Sequence, residues 1–133
     1  MSKQLLIGWI VAALGTGSAF AAEPAYAPQV NTAAGVKVTA TLKNIESGAK
    51  TWDIAVVLET HTQDLGENLT ESSVLIADGT RYLPMSWRGD PPGGHHRRGV
   101  LRFKAISPRP AAIELQISLG NDAAPRRFQW QLK

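Results

Sequence analysis

The sequence predicts an all-β fold, a two-sheet sandwich of immunoglobulin-like size with about seven short strands. Apolar and polar residues alternate with period two along most of the chain, which is the pattern of half-buried strands. Glycine, proline, asparagine or aspartate separates the alternating runs, as expected for turns. A small β-barrel is the alternative architecture.

Seven runs carry the alternation, and a strand is expected at each. They are VKVTATL (36–42), TWDIAVVLET (51–60), SSVLIA (72–77), TRYLPMSW (80–87), GVLRFKAI (99–106), AIELQISL (112–119) and RRFQWQLK (126–133). Pro84 cannot donate to a ladder, so the fourth run is predicted as an edge strand. Residues 67–73 break the pattern and are expected to hold a helical turn. Trp52 and Trp130 fall in phase with aliphatic neighbours and are predicted core residues.

The first 21 residues have the layout of a signal peptide. Lys3 precedes an apolar run over residues 5–14, and Ala19-Phe20-Ala21 fits the small-residue cleavage site. A membrane anchor is the rival interpretation, but the run falls short of the roughly 20 apolar residues that span a bilayer. The sequence therefore predicts a periplasmic or secreted protein, with no transmembrane span in the mature chain. Its expected parts are a signal peptide (1–21), a Pro- and Ala-rich leader or tether (22–34) and a single β-sandwich domain (35–133).

The chain has no cysteine, which excludes disulfides, thiolate metal sites and thiol chemistry. Charge is divided unevenly along it. Residues 22–80 hold three lysines and eight acids, a balance of −5, whereas residues 81–133 hold ten Lys or Arg and three acids, a balance of +7. Interleaved strands that neutralise one another explain this division, and a basic face for an anionic partner is the alternative. Nucleic acid is not expected as a partner of an exported protein.

The least ordinary stretch is RGDPPGGHHRRG, residues 88–99, which places two of the three histidines side by side. Two prolines stiffen the approach, and two glycines let the backbone turn. If the strand GVLRF continues backwards in register, positions 95, 97, 99, 101 and 103 share the inner face. His95 is then expected near the edge of the core, and His96 is expected to point outward.

A metal site is one hypothesis for this loop. His61 and Asp64 follow the end of a predicted strand, and sandwich loops cluster at two ends of the fold, so these residues could meet His95 or His96. Imidazoles, with or without a carboxylate, suit copper or zinc. Against this hypothesis, no two histidines are spaced as H-x-H or H-x-x-x-H.

Catalysis is not expected, because no serine lies in a G-x-S-x-G elbow and so small a domain seldom builds a cleft with paired carboxylates. Binding is predicted instead, through Trp87 beside the polar loop and through Arg97 and Arg98 on its rim. Arginines of the C-terminal half would also suit an anionic ligand. The residues of that hypothesis are Arg97, Arg98, Arg102, Arg126 and Arg127.

Two segments resemble those of a group of uncharacterised exported or membrane-attached prokaryotic proteins, in which a T-H…D-L segment precedes a W-x-G-x-P-P-G-G-H-H-x-x-G segment. The matching residues here are Thr60, His61, Asp64, Leu65, Trp87, Gly89, residues 91–96, Gly99, Leu101 and Phe103. The resemblance implies that His61 and the two adjacent histidines belong to one working site. It implies no reaction.

Three functions are therefore expected, in this order. The first is an exported binding or interaction module whose loop PPGGHH (residues 91–96) contacts another exported or membrane protein. The second is a periplasmic copper or zinc protein that uses His61 with His95 or His96. The third is an anion-binding domain that uses the C-terminal arginines, and copper or zinc is the only cofactor that the sequence suggests.

Overall fold

The structure, a computed structural model, describes residues 26–120 and 122–133. The expected signal peptide, residues 1–21, lies outside the described residues. No helix in the part of the chain that is described is long and apolar enough to cross a membrane.

The described residues form two antiparallel sheets, so the prediction of an all-β, two-sheet sandwich is confirmed. The strands are β1 (Gln29–Ala33), β2 (Val36–Leu42), β3 (Thr51–Thr60), β4 (Ser73–Ala77), β5 (Thr80–Tyr82), β6 (Ser86–Gly89), β7 (His96–Lys104), β8 (Ala112–Ile117) and β9 (Arg126–Gln131), with one short helix, α1 (Leu69–Ser72). One sheet has the order β1-β2-β3-β7-β6, and the other has the order β5-β4-β8-β9. The helix falls inside the segment that was expected to hold a helical turn.

The core lies between the two inner sheet faces because alternate residues of each strand are apolar. Strand β3 shows this along its whole length, with Trp52, Ile54 and the residues in phase with them buried and their neighbours half-buried. Strand β9 buries Phe128 and Trp130 in the same way from the other sheet. Both tryptophans that were predicted as core residues are therefore core residues.

The run TRYLPMSW forms two strands rather than one. Its first part is β5, the edge of the four-stranded sheet, and its last part is β6, the edge of the five-stranded sheet. The buried Pro84 lies in the crossover between them, where its missing N–H breaks the ladder. The crossover leaves the side chains of Leu83 and Met85 72% and 59% exposed.

Residues 22–34 were expected to form a leader or tether, but in the described part of this segment residues 29–33 form strand β1. It pairs with β2 along its full length, although its one large apolar side chain, Val30, is 57% exposed. A polar anchor holds it instead, because the Arg126 guanidinium donates to the carbonyl oxygens of Ala33 at 2.7 Å and Asn31 at 3.3 Å. Period-two hydrophobicity cannot reveal a strand that is held in this way.

Arg126 itself is 3% exposed and joins three parts of the fold. Its Nε donates to Asp122 Oδ2 at 2.7 Å, and its Nη1 donates to the carbonyl oxygen of Val36 at 2.9 Å. These bonds tie β9 of one sheet to the hairpin of β1 and β2 in the other sheet. Arg126 is therefore a structural residue, contrary to its assignment to an anion-binding surface.

The segment before β1 is also bound to the domain. Trp130 Nε1 donates to the carbonyl oxygen of Ala27 at 3.2 Å, and Arg109 Nη2 donates to the Tyr26 hydroxyl at 3.1 Å. In the described part of the chain the folded domain thus includes Tyr26, and residue 35 is not its boundary.

We expect Arg126→Met to lower the free energy of unfolding by about 3–5 kcal/mol, because the buried Asp122 carboxylate loses its partner. Urea unfolding measures this change. Arg127→Met is the matched control: its side chain is 63% exposed, its contact with Glu114 is 3.9 Å long, and the expected change is within about 0.5 kcal/mol. Equal losses in the two variants would contradict the role given to Arg126.

Candidate functional site at the histidine end

The two segments that the sequence singled out meet at one end of the sandwich, where β3 ends and β7 begins. The N–H of Thr60 donates to the carbonyl oxygen of His95 at 2.9 Å. Leu65 N–H donates to the carbonyl oxygen of Gly94 at 2.9 Å, and Gly93 N–H donates back to that of Leu65 at 2.7 Å. The PPGGHH loop (residues 91–96) is therefore hydrogen-bonded to the segment that carries His61. We call this part of the molecule the histidine end.

Asp64 fixes the turn of the PPGGHH loop. Its Oδ1 accepts a hydrogen bond from the N–H of Gly94 at 2.8 Å. Gly93 and Gly94 have φ angles of +115° and +79°, a region that L side chains avoid, so glycine is required at these two positions. The exposed Asp64 was a candidate metal ligand, and its observed contact is with the loop backbone.

Arg97 lies beneath the loop and not on its rim, which corrects its expected position. It is 1% exposed, because it shares the inner face of β7 with Leu101 and Phe103. Its Nη1 donates to the carbonyl oxygens of Glu67 at 2.8 Å and Leu65 at 3.3 Å. Burial lowers the pKa of the guanidinium, while the charges of Glu67 and Asp90 act in the opposite direction.

Trp87 packs against this buried arginine. The centre of its ring lies 5.5 Å from Arg97 Cζ, within cation–π range. Its indole Nε1 donates to the carbonyl oxygen of Asp90 at 2.8 Å, and the same oxygen accepts from Arg97 Nη2 at 3.2 Å. The half-buried ring that was expected to bind a ligand is thus already engaged inside the protein.

Two glycines make room for the Trp87 ring. Gly89 of β6 faces Gly99 of β7 across the ladder. A Cβ added at Gly99 would lie 2.6 Å from Trp87 Cζ2, and one added at Gly89 would collide with the backbone of Gly99. The spacing of tryptophan and glycine in this stretch is therefore explained by packing.

The three histidines are exposed. His96 points outward as expected and lies opposite Glu59 in the ladder. His95 is also exposed, which corrects the expectation that it lies at the edge of the core: the positive φ angle of Gly94 interrupts the alternation just before it. We call the side chains of His61, His95 and His96 the histidine surface.

The structure brings the metal-ligand candidates to the same end of the fold, but it does not assemble them into a site. Within residues 26–120 and 122–133, no group of three or more His, Cys, Asp or Glu side chains is placed to hold a metal ion. Binding of copper or zinc by His61, Asp64, His95 and His96 stays a prediction without structural support.

The arginines of the anion-binding hypothesis do not form one surface. Arg97 and Arg126 are buried. Arg102 pairs with Asp53, its Nε lying 2.8 Å from Oδ1, and this hydrogen bond raises the pKa of Arg102. Among the described ion pairs, only the Asp53–Arg102 pair joins the acidic N-terminal half to the basic C-terminal half. The opposite charges of the two halves therefore neutralise one another at a single described pair.

The chain matches no protein-family model, no curated protein and no solved structure. The resemblance of its two segments to exported prokaryotic proteins therefore stays a prediction.

We expect Arg97→Met to loosen the histidine end, because the carbonyl groups of Leu65, Glu67 and Asp90 lose a donor. The free energy of unfolding should fall by about 2–4 kcal/mol. In hydrogen-exchange measurements, the amides of Gly93 and Gly94 should exchange faster than in the parent protein.

Arg98→Met is the matched control, since Arg98 is exposed and its hydrogen bonds with Asp90 are made by its backbone. Its N–H donates to Asp90 Oδ2 at 2.9 Å, and its carbonyl oxygen accepts from the Asp90 N–H at 3.0 Å. Its effect on stability should stay within about 0.5 kcal/mol. Unchanged exchange at Gly93 and Gly94 in Arg97→Met would refute the bracing role of Arg97.

Gly99→Ala should destabilise the fold by about 1–3 kcal/mol, because the new methyl group overlaps the Trp87 ring and the backbone of Arg88. Gly66→Ala is the control, since its methyl group would approach no closer than 3.4 Å to Asp64 Oδ2. Thermal unfolding compares the two variants, and an equal shift in both would show that the Trp87–Gly99 contact is not tight.

Proposed function

We propose that the protein is an exported binding module, periplasmic or secreted, that uses the histidine surface to contact another exported or membrane protein. Export is supported by the layout of the first 21 residues, in which Lys3 precedes an apolar run and Ala19-Phe20-Ala21 follows it. The observation that carries the binding role is that the PPGGHH loop is held by its backbone while its imidazoles stay exposed.

Asp64, Trp87, Arg97 and Gly99, which the sequence also singled out at this end, have partners inside the protein. Asp64 holds Gly94, Trp87 and Arg97 both donate to the Asp90 carbonyl oxygen, and Gly99 accommodates the tryptophan ring. None of the three histidine side chains forms a hydrogen bond or ion pair with another residue of the described ranges. A function outside the chain best explains why they are presented together.

The arrangement favours binding over catalysis. Three cavities, of about 690, 230 and 190 Å³, are lined by residues outside the PPGGHH loop and outside the His61 segment. A site that encloses a small molecule is generally concave, whereas a surface of exposed side chains on a braced loop suits a contact with another macromolecule. The proposal therefore assigns no reaction.

The bracing matters for affinity. Ordering a loop or a rotamer-rich side chain on binding costs about 0.5–1.5 kcal/mol for each side chain immobilised. Hydrogen bonds from Thr60, Leu65 and Gly93 fix the backbone of the PPGGHH loop before any partner arrives. A partner would then have to order only the imidazole rings.

We expect a photo-reactive amino acid at position 96 to form a discrete covalent adduct in cells that produce the protein. The same residue at position 127, on the outer face of the other sheet, is the control and should give no adduct of that size. The adduct from position 96 should weaken at least severalfold when His61→Ala and His95→Ala are introduced. A contact through the histidine surface would be refuted if the amount of adduct from position 96 were unchanged by these two substitutions. Equal amounts of adduct from positions 96 and 127 would refute it as well.

A further inference from the structure

The largest of the cavities described above lies at the end of the sandwich opposite the histidine end. Its volume is about 690 Å³, within the range of small-molecule sites. Leu42 at the end of β2, the loop between β2 and β3, the segment before β1 and Arg109 line it. A second cavity of about 190 Å³ adjoins it and shares Glu46, Ser47 and Arg109 with it. We call the two together the Arg109 groove.

Arg109 is held rigidly at the junction of the two cavities. Its Nη1 donates to the carbonyl oxygen of Ile45 at 2.6 Å, and its Nη2 donates to the Tyr26 hydroxyl at 3.1 Å. Its guanidinium also lies over the ring of Trp52, with Cζ 5.9 Å from the ring centre. The side chain is half-buried and cannot swing away without losing these three contacts.

The charge of Arg109 is uncompensated in the described part of the chain, where no carboxylate lies within ion-pair distance of it. An arginine has five N–H donors, and two of those of Arg109 have protein partners, so three are available. The exposed Lys43 adds a second positive charge to the lining, and the exposed Glu46 adds one negative charge. The groove therefore has a net positive lining around a preorganised guanidinium.

The rest of the lining is amphipathic. The chains of Leu42 and Ile45, 8% and 5% exposed, and the ring of Tyr26 supply apolar surface, and the hydroxyls of Thr41 and Ser47 supply polar groups. A guanidinium matches the planar, two-oxygen geometry of a carboxylate. An apolar body attached to that carboxylate would cover the neighbouring aliphatic surface.

We infer that the Arg109 groove is a binding site for a small amphipathic carboxylate, whose carboxylate group pairs with the guanidinium of Arg109 and whose apolar part lies against Leu42 and Ile45. This site is separate from the histidine surface, because β2 ends and β3 begins here, whereas the histidine end follows the last residue of β3. The inference does not depend on the proposed function.

Octanoate is the probe that tests the site, with octanol and acetate as its two halves. In NMR titrations of the isotope-labelled protein, octanoate should shift the amide signals of residues 43–47 and 109. Octanol and acetate should each bind at least about tenfold more weakly, since each lacks one of the two interactions. Equal affinity for octanol, or shifts that lie elsewhere, would refute the inference without any variant.

Arg109→Gln should weaken octanoate binding at least about tenfold, and Arg109→Lys should fall between this variant and the parent. Urea unfolding shows whether each variant is folded. If Arg109→Gln unfolds, Arg109→Lys, which keeps the positive charge, still tests the site. Arg81→Gln, an exposed change on the other sheet, is the matched control. The triple variant His61→Ala, His95→Ala, His96→Ala should bind octanoate as the parent does. This variant separates a failure of the Arg109 groove proposal from a failure of the proposed contact through the histidine surface. Undiminished binding by both Arg109 variants would overturn the site.

Discussion

Backbone carbonyl groups in loops and at strand ends need hydrogen-bond donors, and in this sandwich the guanidinium groups of Arg97, Arg109 and Arg126 supply them at three places. Arg97 serves the carbonyls of Leu65, Glu67 and Asp90 at the histidine end. Arg126 serves the hairpin of β1 and β2. The planar, multi-donor head of arginine suits this task, because one side chain can satisfy several acceptors that face it from different segments.

These arginines explain how a chain without cysteine holds its loops. The bond from Arg126 to Val36 joins positions 90 residues apart, the bond from Arg109 to Ile45 joins positions 64 apart, and the bond from Arg97 to Glu67 joins positions 30 apart. Each connects segments that strand pairing does not connect. Unlike a disulfide, such a bond acts only in the folded state, and its contribution is lost as a unit if the guanidinium is removed.

The sequence predicted the strands well wherever an apolar face created them, as in β3 and β9, where every second residue is buried. It failed at β1, whose inward residues include Asn31 and whose anchor is the distant Arg126. No local pattern encodes a contact of that kind. The number of strands was also underestimated because Pro84 sends one run into two sheets.

A usable signal for the two buried arginines was nevertheless present. Arg97 lies in phase with Leu101 and Phe103, and Arg126 lies in phase with Phe128 and Trp130, so the alternation itself places both on inner faces. Their charge suggested an exposed position, and in a strand the phase was the better guide. The phase failed at His95, where the φ angle of +79° at Gly94 interrupts the alternation that had placed this residue inward.

The turn at Gly93 and Gly94 also explains why both adjacent histidines are exposed. Strand β7 begins at His96, so His95 belongs to the turn that Gly93 and Gly94 create, and both imidazoles reach solvent from neighbouring positions. In a regular strand one of the two would have entered the core. The loop backbone is bonded to the segment of His61, and Arg97 fills the space beneath it. Hydrogen bonds thereby fix the loop backbone while the imidazoles stay exposed, so a partner of the proposed contact would have to order only side chains, which lowers the entropic cost of binding.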